Sequence, residues 1–224
     1  MEILSFDQAE IQPRVVRFAD LTATEDFVGS TGDISPETRK AAFSQSVYGL
    51  TSPTGPAVRN FWEAGAVPAG ADNFGAVYVT AGPGEGASWH VHRYSWENFI
   101  PLKGTWRIFW NGPVEEHVDL GPHDMVSIPP GAIRRFEHIG EGQGLMLAFA
   151  YAGTGSLLSE LETALPPCEI ERLEKLGAQG TAEQQDYAAR MRAVLAATDA
   201  IETEADREYL RSVKAWVEEQ AGVK

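Results

Sequence analysis

A double-sheet β fold followed by helices is what this 224-residue sequence predicts. Three observations carry that expectation. Between residues 57 and 152, about eight short runs rich in β-branched and aromatic residues alternate with turn residues, the cadence of an antiparallel barrel or sandwich. Glycine and proline punctuate the runs. From Gly155 onward the apolar residues recur at helical spacing instead. The chain therefore divides into an N-terminal arm packing on the barrel (1–56), the β-barrel (57–152) and a C-terminal helical extension (153–224).

In the arm, Arg14 to Phe18 reads as a short β-rich segment, and Ser35 caps a helix whose first position is Pro36. Pro53, Gly55, Pro56, Gly65, Pro68 and Gly70 then mark a loop-rich passage around the apolar run Val58 to Trp62. The strand candidates are Asn73 to Thr80, Ser88 to Arg93, Trp96 to Leu102, Thr105 to Trp110, Glu116 to Leu120, Met125 to Ile128, Arg134 to His138 and Leu145 to Tyr151. In the extension, Thr181-Ala182-Glu183-Gln184 forms a capping box ahead of Tyr187, Met191, Val194 and Leu195. Thr203 opens a further helix with Tyr209, Val213, Trp216 and Val217 on one face. These stripes cover the barrel or each other, or else form a dimer interface or lid.

The stretch Gly84-Glu85-Gly86-Ala87-Ser88-Trp89-His90-Val91-His92-Arg93-Tyr94-Ser95-Trp96-Glu97 holds the chemistry. Strand side chains alternate, so His90 and His92 project from one face about 7 Å apart, and Glu97 can reach the same point after a bend. Two imidazoles and a carboxylate suit a divalent transition metal such as manganese, iron, nickel or zinc, and three ligands leave positions open for substrate or dioxygen. Two histidines on an ordinary strand are the simpler alternative. The spacing Gly84, His90, His92, Glu97, Gly104 resembles the first motif of the cupin superfamily at all five positions. That resemblance implies a cupin-type jelly-roll barrel and a metal held by His90, His92 and Glu97. Barrels of this kind commonly pair, which implies a homodimer.

Gly121 to His138 resembles the second cupin motif, an apolar strand running into a Pro-x-Gly turn, Pro129-Pro130-Gly131. Gly121 lies slightly further from Pro129 than the family pattern has it. Where the family has a fourth ligand, a histidine, this chain has Arg134, which offers no lone pair. His138 lies four residues on, about 13 Å along a strand, too far to stand in without a bulge. His117 and His123 read as exposed turn histidines.

Arg134 can turn inward and receive a substrate carboxylate in bidentate fashion, or outward to pair with Glu137 or Glu141. By parity Ser88 and Phe99 face inward with the histidines, and Phe136 shares Arg134's side. Phe99 and Phe136 are thus expected to join Arg134 in binding substrate. For Thr105 to Trp110, either Trp106, Ile108 and Trp110 or Thr105, Arg107 and Phe109 face in.

The net charge of −14 argues against nucleic acid or an anionic membrane as partner. No apolar run is long enough to span a bilayer. No signal peptide is visible at Met1 to Asp7, and the single Cys168 fits a reducing compartment, so a cytoplasmic protein is expected. Acidic neighbours Glu169 and Glu171 disfavour a Cys168 thiolate. The resemblance and the residues together point to a metal-dependent enzyme, an oxidoreductase of dioxygenase type acting on a small organic acid. Glu97 is either ligand or catalytic base. A noncatalytic small-molecule binder, or an isomerase or lyase, is the alternative.

Overall fold

The computed structural model describes residues 3–23, 35, 38, 43–52, 67–68, 73–112, 116–153 and 162–222. The strands are β1 (Ser46–Ser52), β2 (Val67–Pro68), β3 (Phe74–Ala81), β4 (Gly86–His92), β5 (Ser95–Lys103), β6 (Trp106–Trp110), β7 (Glu116–Leu120), β8 (Val126–Ile128), β9 (Ile133–His138), β10 (Gly144–Ala152) and β11 (Thr163–Ala164). A short helix α1 (Gln8–Ile11) precedes them. Three longer helices follow: α2 (Pro167–Gln179), α3 (Ala182–Ile201) and α4 (Glu204–Gln220).

Among the described residues the strands form a six-stranded sheet, β2-β1-β3-β10-β5-β8, and a five-stranded sheet, β11-β4-β9-β6-β7. Every pairing is antiparallel except β1 with β2. This is a mainly β fold with a helical extension, as the strand count predicts. All eight strand candidates form, with ends shifted by a residue or two where a turn takes over.

Alternation along each strand sends one face into a common core. Val47, Val79, Phe99, Met146 and Ala148 come from one sheet, and Ala87, Trp106, Ile108 and Phe136 from the other. The Phe99 and Phe136 rings meet across the sheets at 5.5 Å, and Phe136 meets Trp106 at 6.0 Å. Burying each such ring stabilises the fold by about 1.5–3 kcal/mol. The parity left open in β6 resolves with Trp106 and Ile108 inward, both fully buried. On the reverse face Arg135 stacks over Phe109 at 3.5 Å and pairs with Glu137.

The expected β-rich segment Arg14 to Phe18 is not a strand. Two 3-10 turns, Gln12–Arg14 and Phe18–Asp20, flank an extended link that joins neither sheet, and Phe18 packs on Tyr48 and Tyr78. Pro13 accounts for the break at its start, since it lacks an N–H and favours a turn. Ser35 Oγ accepts from Thr38 N at 3.2 Å, the geometry of a cap, while Pro36 and the run Val58 to Trp62 lie outside the described residues.

The capping boxes form at Thr181/Gln184 and Thr203/Asp206. Tyr187, Ala188 and Met191 of α3 are buried in one cluster with Ile170 and Leu173 of α2 and the inner residues of the barrel; α3 packs chiefly on α2, and α2 in turn on β4. Val194 is exposed. On α4 only Val213 is buried, whereas Trp216 stands half exposed with its ring 5.6 Å from Trp96. No described helix is long and apolar enough to cross a membrane.

Gly84 and Gly104 both take left-handed backbone, φ +76° and +82°, which a side chain disfavours. A Cβ at Gly84 would meet nothing within 4 Å, but one at Gly104 would lie 2.3 Å from His138 Nε2. Gly84→Ala should therefore cost about 1–2 kcal/mol of conformational strain. Gly104→Ala should cost more, on the order of 3 kcal/mol, because a buried ring must also move. Urea unfolding of the two variants checks the order; equal losses would show that the His138 contact contributes nothing.

Candidate metal centre

The site lies between the sheets, where β4 turns through Arg93 and Tyr94 into β5. His90 and His92 come from the five-stranded sheet, and Glu97 from the six-stranded one. Their ligand-capable atoms lie within 4.8 Å of one another. Glu97 Oε2 is 3.6 Å from His90 Nε2 and 3.4 Å from His92 Nε2, and the imidazole rings stand nearly perpendicular with centroids 5.2 Å apart. Arg134 is the direct cross-strand partner of His90 in β9, so it too faces in; it is fully buried, with Nη1 3.4 Å from the same Glu97 oxygen.

The second nitrogen of each histidine is also engaged. His90 Nδ1 lies 2.8 Å from the Ser88 carbonyl, which can only accept, so Nδ1 carries the proton and Nε2 is left with the lone pair. His92 Nδ1 lies 3.2 Å from Glu162 Oε1 and 3.1 Å from Thr163 Oγ1. Holding the outer nitrogen by a carbonyl or carboxylate is how ligating histidines are oriented, and the donor set here fits a divalent transition ion.

Arg134 departs from its expected use. Nε and Nη2 donate to the Ala132 carbonyl at 3.2 and 3.0 Å, Nη2 donates to the Pro129 carbonyl at 3.0 Å, and Nη1 faces Glu97. Those contacts commit all but one Nη1 hydrogen among the described residues, so the bidentate receptor reduces to a single contact. Phe99 and Phe136 are closed into the core at 0% and 4% exposure, and their expected role as substrate contacts becomes one of packing beneath the site. His138 is fully buried against Trp106 at the far end of β9, its nitrogens without a hydrogen-bond partner among the described residues. His117 and His123 are exposed.

Residues 77–150 match the family model described as cupin domain. The protein carries a cupin domain. No curated protein matches the chain. Among solved structures, the DMSP lyase DddQ from Ruegeria pomeroyi DSS-3 is 16% identical, the match covering 66% of this chain and 61% of that one with a TM-score of 0.45. A sugar phosphate isomerase of the cupin superfamily from Silicibacter pomeroyi DSS-3 is 17% identical over 61% of this chain and 74% of that one, TM-score 0.43. KdgF from Halomonas sp. is 12% identical over 62% and 94%, TM-score 0.41. Identities this low do not carry a function across.

Beyond the cupin domain's own residues, Glu162 is the one that sequence reasoning missed. It sits in the extension, remote from both motifs, and only the pairing of Thr163 with His92 brings it to the site. Buried to 4% exposure, its carboxylate accepts from Tyr94 N at 2.9 Å, from Ser95 Oγ and from His92. No spacing rule would have found it.

Burial opposes charge on every group here, and the neighbours decide the outcome. For His92, burial is outweighed by the Glu97 charge and by hydrogen bonds to Glu162 and Glu97, which push it up to about 9. Burial holds His90 below its usual value, Glu97 notwithstanding. Against burial, chiefly the charge of His92 keeps the Glu97 carboxyl well below the usual range. Arg134 is pulled down by burial and pushed up by Glu97 and Glu162, and a guanidinium stays charged. Away from the site, burial pushes the Cys168 thiol up, in line with a thiol that is no nucleophile.

In the metal-free protein His92 is thus protonated at neutral pH and must lose that proton before Nε2 can bind an ion. The apparent affinity for a divalent metal should fall about tenfold for each unit that the pH drops below about 9. Calorimetric titrations at several pH values read the slope; affinity independent of pH would mean that His92 is already neutral.

Proposed function

We propose that the protein is a metal-dependent cupin enzyme in which His90, His92 and Glu97 hold a divalent transition metal and which carries out dioxygenase-type oxidation of a small organic acid. The observation that carries the reading is the donor set: two histidines and one carboxylate, with a non-ligand at the usual fourth position. Two-histidine-one-carboxylate sets with open positions are typical of non-haem iron oxygenases. Iron in such a site supplies Lewis acidity and a redox centre open to substrate and dioxygen.

The chain's own residues supply the rest. Ser88 and Glu162 orient the two imidazoles, and Arg134 holds Glu97 Oε2, the oxygen that faces both histidines. With His92 neutral, a divalent ion together with Arg134 outweighs the charges of Glu97 and Glu162, and an anionic substrate cancels the positive charge that remains. That balance favours an acid over a neutral ligand. The spare Nη1 hydrogen of Arg134 gives the acid one contact.

One observation favours a second reading, a small-molecule binder or a metal-independent isomerase or lyase. Glu97 Oε2 already lies between His90, His92 and Arg134 at 3.4–3.6 Å, and with the Glu162 carboxylate behind a protonated His92 the charges balance with no ion present. Glu97 or His92 would then be the acid–base group.

Protein purified without chelator or histidine tag, then reconstituted with iron, should hold close to one metal per chain and consume dioxygen with a small organic acid from a panel. Clearly substoichiometric metal with no gain on reconstitution sinks the metal reading; solvent-deuterium exchange into substrate by metal-free protein would support the isomerase. Arg134→His should bind metal at least about tenfold tighter, since it adds a ligand and removes a charge, and should bind oxalate more weakly. Unchanged affinity for both would remove Arg134 from the site's chemistry.

A further inference from the structure

We infer that Glu162, contributed from outside the cupin domain, is a positioning residue that fixes the His92 ring through a hydrogen bond from Nδ1. The matched cupin segment ends at residue 150. Glu162 reaches the site because β11 adds to the edge of β4 with Thr163 opposite His92 and Ala164 opposite Val91. Arg93 N donates to the Glu162 carbonyl at 2.8 Å, so the backbone is clamped immediately beside the ring that the side chain addresses.

The surroundings of the carboxylate are all donors. Its Oε1 lies 3.2 Å from His92 Nδ1 and also accepts from Ser95 Oγ, while Oε2 accepts from Tyr94 N at 2.9 Å. An anion meets such a set; an amide does not, because one side of it would present N–H to N–H or O–H. Nδ1 and Nε2 occupy opposite edges of the imidazole, so Glu162 engages the ring from behind while Nε2 faces Glu97. It is therefore placed to orient His92 and not to be a fourth ligand of the same ion.

Thr163 Oγ1 is the competing partner, 3.1 Å from the same Nδ1. A buried carboxylate is the stronger acceptor for an imidazole N–H, being charged where the hydroxyl is not. Alternatively Glu162 could serve only to staple β11 to the β4–β5 turn, through Tyr94 and Ser95. The two roles differ in what happens to the His92 ring when the charge is removed.

The test compares Glu162→Gln with Thr163→Val in two measurements. In metal-free, nitrogen-15-labelled protein, the proton on His92 Nδ1 should be protected from solvent exchange and visible by NMR in wild type and in Thr163→Val, but shifted or lost in Glu162→Gln. With cobalt(II) as probe, Glu162→Gln should raise the dissociation constant by about 10- to 100-fold and alter the visible d–d spectrum, while Thr163→Val stays near wild type. The cobalt measurement rests on the metal-centre reading; the proton resonance does not. If wild type takes up no cobalt, that reading fails and the resonance alone decides the present inference. A resonance unmoved by Glu162→Gln, or lost equally in Thr163→Val, overturns it. Should Glu162→Gln not fold, Glu162→Asp, which draws the carboxylate back by one methylene, is read in its place with the same expected direction.

Discussion

One oxygen of Glu97 ties the two sheets together at the candidate site. Oε2 comes from the six-stranded sheet and stands 3.4–3.6 Å from His90, His92 and Arg134, all on the five-stranded sheet. A carboxylate taken out of water is tolerated only when its partners remain in place, and removing one partner of a buried ion pair costs about 3–5 kcal/mol. The registers of both sheets are constrained by that requirement. A slip of one residue in β4 would turn His90 and His92 to the outer face, where Trp89 and Val91 now alternate with them, and leave Glu97 facing Arg134 alone.

The helical extension contributes to the same region. Tyr94, at the turn between the histidines and Glu97, donates to Asp206 Oδ1 at 2.7 Å, and its carbonyl accepts from Tyr209 of α4 at 3.1 Å. Arg93 pairs with Glu202 between α3 and α4. The turn that sets the spacing from His92 to Glu97 is thus held by residues more than a hundred positions later in sequence. Glu162 adds the inner contact, so the jelly roll supplies the ligand-capable groups and the extension fixes how they are presented.

The legible and illegible parts of the sequence divide along this line. Strand alternation carries its own period, so β3 to β10 could be read with ends off by a residue or two, and the inward facing of His90, His92 and Glu97 followed from spacing and one bend. Trp106 and Ile108 could not be separated from Arg107 and Phe109 by pattern alone, because both faces of β6 carry large side chains; one packs in the core and the other stacks with Arg135. Arg14 to Phe18 had strand-like residues but joins neither sheet, and propensity without a ladder does not make a strand. Glu162 was invisible because its position depends on a two-residue strand joining β4 across a long separation, a tertiary fact with no local mark.

Arg134 shows why a substituted ligand position need not be an empty one. Were Arg134 a small apolar residue, Glu97 would lack a cross-sheet counter-charge and the Pro129–Ala132 turn its side-chain donors. The guanidinium provides both, donating to the carbonyls of Pro129 and Ala132 and turning its remaining nitrogen to Glu97. Because those carbonyls belong to the turn that precedes β9, the side chain is anchored by its own backbone and cannot swing away as a long arginine would on an exposed surface. A fixed positive charge beside Glu97 weakens the pull of the site on any cation and strengthens it on any anion that enters. In the proposed metal-dependent reading the same residue would set two opposed quantities, metal affinity and acid affinity, and the chemistry of the site would lie in the balance between them.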